Sequence, residues 1–195
     1  MKDRRLEGKN IGCVMTGSFC TFSKVFDAWR SLRDEGAELY PIMSFNASRL
    51  DTRFYPAAKA VGIFEEITGR KVWNTLEKVE PIGPKKVLDL LIVAPCTGNT
   101  MAKIANGITD TPAALSVKSH LRNGRPVLIA VSTNDGLGRS GKNLGELLSA
   151  KHVFFVPFRQ DDCVEKPNSL VAEFDLMADS AVEALQNRQI QPVLR

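Results

Sequence analysis

The sequence predicts an α/β fold, built as a doubly wound parallel sheet between two layers of helices. Strand-like and helix-like segments alternate along the chain, which is the pattern of a parallel sheet with helices on both faces. Residues 88–94 are almost continuously apolar, as expected for a parallel strand that is buried on both sides. A chain of 195 residues can form one large core. We therefore expect a single three-layer domain over residues 1–195, of the Rossmann or flavodoxin-like kind.

Periodicity and helix-ending residues predict the individual elements. Apolar residues at helical spacing predict a first helix from Phe22 to Leu32, and Pro95 is expected to stop the strand over 88–94. The other predicted strands are 10–15, 37–43, 125–131 and, as the last one, 152–156. The other predicted helices are 56–61, 72–79, 97–106, 110–123, 141–150 and a C-terminal helix with Val171, Phe174, Met177, Ala178, Ala181, Val182 and Leu185 on one face. Polar or turn-rich loops are predicted at 44–48, 81–86 and 157–168.

Composition and charge point to neither a nucleic acid nor a membrane as partner. The 26 basic and 22 acidic residues give a net charge of +4, and the basic residues are spread along the chain. No apolar run approaches the roughly 18 residues of a membrane span. The polar stretch Met1–Gly8 lacks the apolar core of a signal peptide. We therefore expect a cytoplasmic protein.

The cysteines and histidines favour no metal site. The four cysteines form no C-x-x-C pair, and only two histidines are present, so a zinc site is not expected. We interpret each cysteine as a small buried apolar residue and each histidine as structural. These residues are Cys13, Cys20, Cys96, Cys163, His120 and His152.

A glycine-containing loop follows the first predicted strand. Its sequence, Gly12-Cys-Val-Met-Thr-Gly17-Ser18, fits neither the Walker loop nor the dinucleotide fingerprint. A strand, a Gly-Ser turn and a helix start remain, and the backbone N–H groups there can hold a phosphate or the polar edge of a flavin. A tight turn without a ligand would use the same residues.

A second polar loop follows the most apolar strand. Thr97, Asn99 and Thr100 crowd the start of the next predicted helix. Uncharged hydroxyl and amide groups at such a position can bind carbonyl or phosphate oxygens of a ligand. Helix capping alone explains one such residue more readily than three within four positions.

Residues 94–110 read A-P-C-T-G-N-T-M-A-K-I-A-N-G-I-T-D. This segment resembles the hallmark of the FMN-dependent cysteine decarboxylase-like flavoproteins, which is P-A-S/M-x-N-T-x-x-K-I-A-N-G-I-x-D. Gly17 and Ser18 match the first FMN loop of that family, and Ser44 matches its second-strand hydroxyl. The resemblance covers most of the chain and implies FMN held between the subunits of a trimer, often within a dodecamer. It implies FMN-binding roles for Gly17, Ser18, Ser44, Asn46, Thr97, Asn99 and Thr100.

Two departures argue against decarboxylation. The family's decarboxylases use a histidine before the A-P-x strand, and this sequence has none before His120. They also carry P-x-M-N-x-x-M-W where residues 131–138 read V-S-T-N-D-G-L-G, which retains only Asn134. The prenyl-FMN synthases of the same fold match poorly too, because their Pro-Arg-Glu turn is missing.

One branch of the family, the B subunits of dipicolinate synthase from spore-forming bacteria, is similar over four segments: 6–18, 94–100, 131–138 and 157–170. The resemblance implies a cytoplasmic flavoprotein of the mother cell. It would act with an A subunit, which carries NADP or NAD, in oxidising dihydrodipicolinate to dipicolinate (pyridine-2,6-dicarboxylate). A flavin-dependent decarboxylase of another acid, and a non-catalytic flavin-binding assembly subunit, remain alternatives.

A dicarboxylate substrate needs cationic partners. The candidates in predicted loops are Arg49, Arg53, Arg139 and Lys166, and a solvated surface charge is the alternative for each. Asn134 is the candidate catalytic residue and would orient the substrate or the flavin; a solvated turn asparagine is the alternative. Asp135 and Asp161 are weaker candidates.

Overall fold

Seven strands and nine α-helices make up residues 4–195, the part of the chain that this computed structural model describes. The first three residues of the polar N-terminal stretch considered above lie outside it. The strands are β1 (Asn10–Met15), β2 (Glu38–Met43), β3 (Leu90–Cys96), β4 (Val127–Thr133), β5 (Val153–Phe155), β6 (Phe158–Asp162) and β7 (Lys166–Ala172). The helices are α1 (Phe22–Asp34), α2 (Phe45–Arg49), α3 (Ala57–Thr68), α4 (Leu76–Val79), α5 (Ile82–Lys85), α6 (Gly98–Ala105), α7 (Pro112–Leu121), α8 (Gly141–Leu148) and α9 (Met177–Leu185). Short 3-10 turns at Phe19–Thr21 and Phe174–Leu176 precede α1 and α9.

The sheet has a parallel part and an antiparallel extension. Its parallel strands lie in the order β2-β1-β3-β4-β5, with all neighbours in the same direction. The hairpin of β6 and β7 joins the far end of β4, where Ser132 and Thr133 pair with Val171 and Leu170. This order confirms the doubly wound α/β class, and it places the reversal of strand order between β1 and β3.

The core lies on both faces of the central strands. Every residue of β3 is buried, as are the first six of β4, which requires helices on both sides of the sheet. The apolar stripe predicted for α1 is buried along its length: Phe22, Val25, Phe26, Trp29 and Leu32. Helix α1 contacts α3 and α9, while α7 contacts β3, β4 and the shorter helices α4, α5 and α6. Fully burying each large apolar side chain contributes about 1.5–3 kcal/mol to folding.

The prediction was wrong about the loop after β5. Residues 157–168 form most of the β6–β7 hairpin, and Val171 lies in β7 instead of the C-terminal helix, which begins only at Met177. Phe174 lies in the preceding 3-10 turn. The outer residues of β6 are exposed and polar, so no apolar alternation announces the strand. Main-chain pairing with β4 through β7 holds the hairpin in place.

Three smaller predictions also need correction. Strand β3 continues through Pro95 to Cys96. The register between β3 and β4 shifts between Val93 and Cys96, so the N–H that proline lacks is not needed for a regular hydrogen bond between these strands. Residues 44–48 form the start of α2 instead of a loop, since Ser44 caps the helix by accepting a hydrogen bond from the Ala47 N–H. The stretch 81–86 contains the short helix α5.

Two predicted helices differ from the observed ones in length. The helix expected at 56–61 extends to Thr68, and the one expected at 72–79 is reduced to α4. Among residues 4–195, no helix combines the length and apolar character needed to cross a membrane.

Candidate functional site

The carboxyl ends of β1, β3 and β4 meet at one edge of the sheet, and a cleft of about 1060 Å³ opens there. Ligands of doubly wound folds bind at this edge, near the reversal of strand order. The cleft is lined by the loops after these three strands, by Arg53 and Phe54 of the α2–α3 loop, and by part of the β6–β7 hairpin. Its uncharged polar and glycine lining is Gly17, Ser18, Thr21, Thr97, Gly98, Asn99, Ser132, Thr133, Asn134, Ser140, Asn143 and Ser169. Its charged lining is Lys24, Arg53, Asp135, Arg139, Lys142, Asp161 and Lys166.

Thr16 joins the ends of β1 and β3. Its buried hydroxyl donates to the Pro95 carbonyl (2.7 Å) and accepts from the Thr97 backbone N–H (3.0 Å). The two loops predicted to bind FMN are therefore fixed relative to each other by a threonine hydroxyl that both donates and accepts a hydrogen bond.

Thr97 caps α6 with its side chain. Its Oγ1 accepts from the Thr100 N–H (3.3 Å) and lies 3.1 Å from the Thr100 Oγ1. The first helical hydrogen bond runs from the Met101 N–H to the Thr97 carbonyl, so the N–H groups of Gly98 and Asn99 precede it. Thr97 and Asn99 line the cleft, whereas Thr100 is buried behind Thr97.

Ser18 and Ser132 connect the first and third strand ends. Their hydroxyl oxygens are 2.7 Å apart, which makes a direct hydrogen bond between the loop after β1 and the end of β4. Both line the cleft together with Gly17. Uncharged donors and acceptors from three adjacent strand ends therefore face one space.

Gly98 is required where α6 meets the loop after β4. A Cβ atom on Gly98 would lie 2.7 Å from both Ser140 Oγ and Thr133 Oγ1, and 2.9 Å from Asp135 Oδ1. Thr133 Oγ1 donates to Asp135 Oδ1 at 2.7 Å. Hydrogen bonds from Thr133 and then Ser140 hold the pKa of the Asp135 carboxyl below its usual range, so Asp135 is ionised at neutral pH.

The predicted substrate residues separate into two groups. Arg53, Arg139 and Lys166 line the cleft, as does Asn134, but Arg49 does not: its guanidinium lies 4.5 Å from the centre of the Phe45 ring. Lys166 Nζ is 2.8 Å from Asp161 Oδ2, and this hydrogen bond raises the pKa of the lysine. Part of its charge is therefore already neutralised.

Ser44 and Asn46, predicted to bind FMN, lie beside the cleft without lining it. The Ser44 hydroxyl caps α2, and its N–H donates to the Met15 carbonyl at the end of β1. Asn46 is exposed, and a Cβ added to Gly17 would lie 3.8 Å from the Cβ of Asn46. Both residues are adjacent to the first loop, so Ser44 fixes the position of α2 next to it.

The sequence prediction missed two lysines and a buried asparagine. Lys24 in α1, Lys142 in α8 and Asn143 line the cleft. Each lysine lies in the first turn of a helix that follows a strand-end loop, and neither first turn contains an acidic residue. A cation in the first turn opposes the helix dipole, so this placement was a usable signal in the sequence.

The cysteines and histidines differ from one another in exposure. Cys13 and Cys96 are buried as predicted, but Cys20 and Cys163 are exposed, in the loop after β1 and in the β6–β7 turn. The cysteine prediction was wrong for these two because neither segment enters the core. Neither histidine lines the cleft among the described residues; His120 is buried, and burial lowers its pKa to about 4.

The Flavoprotein family model matches residues 1–167 of this chain. The chain belongs to the Flavoprotein family. It is 46% identical over 189 residues to the B subunit of dipicolinate synthase from Bacillus subtilis (strain 168), covering 97% of this chain and 94% of that protein. It also resembles the crystal structure of the dipicolinate synthase B subunit from Bacillus halodurans C, with a TM-score of 0.89, 38% identity and 97% of each chain covered.

More distant flavoproteins share the fold. The FMN-dependent cysteine decarboxylase SpaF has a TM-score of 0.68 at 20% identity, covering 92% of this chain and 97% of that one. At this identity the likeness supports the fold alone. These comparisons confirm the family predicted from the loop motifs and the α/β fold predicted from the alternation of strands and helices.

Proposed function

We propose that this chain is the FMN-binding B subunit of a dipicolinate synthase and takes part in oxidising dihydrodipicolinate to dipicolinate. One observation carries the proposal: three adjacent strand ends present uncharged donors and basic side chains to one cleft, in a chain 46% identical to the B subunit of a dipicolinate synthase. The relative's name supports the reaction, and the cleft supports a ligand with both polar and anionic groups.

The chemistry of the lining fits FMN. The hydroxyl of Ser18, the amide of Asn99 and the backbone N–H groups at the start of α6 suit the carbonyl, ring nitrogen and ribityl groups of a flavin. The cleft volume of about 1060 Å³ is at the upper end of the range for ligand pockets, which leaves room for a small substrate beside the flavin. Bound FMN would supply a two-electron acceptor.

The residues of this chain would bind and orient the substrate. Oxidation of the dihydropyridine ring removes one proton and one hydride, and the aromatic product provides driving force. The basic residues would neutralise the two carboxylates, and Asn134 would align the ring by hydrogen bonds from its amide. NADP or NAD on the A subunit is an alternative destination for the hydride.

The proposal includes a partner and an assembly. A B subunit implies an A subunit, which would carry the nicotinamide cofactor. We expect a homo-oligomer, either a trimer or a dodecamer, in the cytoplasm of the mother cell of a sporulating bacterium. The family's trimer would complete the flavin site from a second copy of the chain.

A decarboxylase receives less support. The family's decarboxylation uses a histidine, and the cleft lining contains none among residues 4–195. A non-catalytic assembly subunit is distinguished from the enzyme by experiment, since it would bind FMN without contributing to turnover.

A reconstitution assay tests the function. The purified chain is combined with an A subunit, and dipicolinate formation is followed with FMN, NADP and NAD each omitted in turn. We expect turnover with both subunits and none with the A subunit alone. A chain that stays colourless after FMN is added would remove the flavin claim. Release of carbon dioxide from a cysteine-terminated substrate would favour the decarboxylase.

A further inference from the structure

Two positively charged side chains lie at the start of α8. Arg139 precedes the helix, and Lys142 lies in its first turn, where no acidic residue is present. Both line the cleft. The N-terminal end of the helix dipole adds to the same positive potential. Three sources of positive potential therefore converge on this part of the lining, next to the ionised Asp135 carboxylate, which also lines the cleft.

The first turn of α8 also keeps its backbone donors available. Ser140, the residue before the helix, makes no side-chain capping bond, because its hydroxyl is hydrogen-bonded to the Asp135 carboxylate. The first helical bond runs from the Leu144 N–H to the Ser140 carbonyl. The N–H groups of Lys142 and Asn143 precede that bond and have no acceptor within the helix.

An amide side chain, that of Asn143, lies at the same place. Asn143 is only 8% exposed and lines the cleft. Its Oδ1 accepts from Asn106 Nδ2 at 3.4 Å, and its own Nδ2 donates to no acceptor among the described residues. Because Asn143 lines the cleft, its amide can donate to a ligand there.

The cations of α8 differ from others near the cleft. Lys166 is paired with Asp161, and Lys103 with Asp110 at 2.7 Å. Within residues 4–195, neither Arg139 nor Lys142 has a carboxylate within ion-pair distance. Their charge is free for a ligand.

We propose that Arg139, Lys142 and Asn143 form a carboxylate subsite that binds one carboxylate of the dicarboxylic substrate, separately from the flavin. The inference rests on the proposed function and assigns the substrate to one end of the cleft. The flavin phosphate would bind at the other end of the cleft, beside β1, where Ser18 and Lys24 line it. Charge-assisted hydrogen bonds from a guanidinium, an ammonium and an amide match the lone pairs of a carboxylate.

Calorimetric titration of the FMN-saturated protein with pyridine-2,6-dicarboxylate, in metal-free buffer, tests the subsite. Pyridine-2-carboxylate serves as the monoacid comparison, and each titration is repeated without FMN. Lys142→Ala and Arg139→Ala should each weaken dicarboxylate binding by roughly tenfold. Lys142→Arg should restore most of the affinity, and flavin affinity should stay within about twofold of the wild-type value.

Lys151→Ala is the matched control, because Lys151 is exposed just after α8 and does not line the cleft. Its affinities should equal those of the wild type. The subsite is refuted if dicarboxylate binding is absent from the wild type, or unchanged in both alanine variants. It is also refuted if those variants weaken FMN but spare riboflavin, since the site would then bind the phosphate. Absence of flavin binding with retained dicarboxylate binding would instead contradict the FMN claim alone.

Discussion

Helices α6 and α8 begin side by side at the same edge of the sheet, yet their first turns are built differently. At α6, the Thr97 hydroxyl turns inward and accepts the Thr100 N–H. At α8, the Ser140 hydroxyl is used by Asp135, and the helix has no side-chain cap. The first turn of α6 is uncharged, whereas that of α8 contains Lys142.

This difference shows how one fold can adapt neighbouring helix starts to different parts of a ligand. A capped, uncharged first turn presents hydroxyl and amide groups without a strong field, which suits a neutral polar ring. An uncapped first turn with a lysine concentrates positive potential, which suits an anion. Three substitutions test this difference: one at the contact between the two helices, one in the cap of α6, and one at the capping position of α8.

The largest effect is expected from Gly98→Ala, which separates the two helix starts. The new Cβ would lie 2.7 Å from Ser140 Oγ and Thr133 Oγ1, so these side chains or the loop that carries them must shift. We expect a loss of about 1–3 kcal/mol in the free energy of unfolding, with weaker flavin binding. Thermal unfolding and flavin fluorescence titration measure the two effects, and each kcal/mol corresponds to roughly 2–4 °C in Tm.

Gly145→Ala is the control for that variant. Gly145 lies within α8, and a Cβ there would meet nothing within 4 Å. Alanine in a helix interior is favoured over glycine by roughly 0.5–1 kcal/mol, so this variant should be as stable as the wild type or more so. Equal destabilisation by both substitutions would mean that the close contact at Gly98 has no special importance.

The sequence predicted the centre of the fold better than its edge. The central strands β1, β3 and β4 are apolar enough to stand out, and the stripe of α1 has clear helical spacing. The β6–β7 hairpin could not be recognised, because its polar residues form a strand only through pairing with the end of β4. Long-range pairing of this kind leaves no local periodicity.

The sequence predicted the separate loops of the candidate site, and only the fold shows how they come together. The motifs at 12–18 and 94–100 indicated which strand ends would carry polar groups, and parallel pairing brings them together. The roles of Lys142 and Asn143 depend on which nearby side chains are already paired with each other, and the sequence does not show that pairing. Lys166 illustrates the reverse case, since its pairing with Asp161 across the hairpin was equally invisible.

An intermediate effect is expected from removing the cap of α6. Thr97→Ala deletes the acceptor for the Thr100 N–H and should lower the free energy of unfolding by about 0.5–2 kcal/mol. Thr97→Ser keeps the hydroxyl and should recover most of that loss. Chemical denaturation of the three proteins measures it. A serine variant as unstable as the alanine variant would show that the methyl group, rather than the cap, stabilises this helix start.

The smallest effect is expected from Ser140→Ala, because this serine does not cap α8. The loss of stability should stay below about 1 kcal/mol, because Thr133 still donates to the Asp135 carboxylate when the serine hydroxyl is removed. The Asp135 pKa should rise toward its ordinary value, since Ser140 helps to hold it low. A carboxyl with a depressed folded-state pKa adds stability above its unfolded-state pKa and loses it as the pH falls through the folded-state value.

The stability difference between the wild type and Ser140→Ala should therefore be present at neutral pH and narrow in acid, as Asp135 becomes protonated in both proteins. Carbon-13 NMR titration of the Asp135 carboxyl and denaturation at several pH values measure the two quantities. A penalty as large as that of Thr97→Ala, and independent of pH, would mean that Ser140 acts as an ordinary helix cap. The two helix starts would then not differ in their capping. The first turn of α8 would also not be open, as the carboxylate subsite requires.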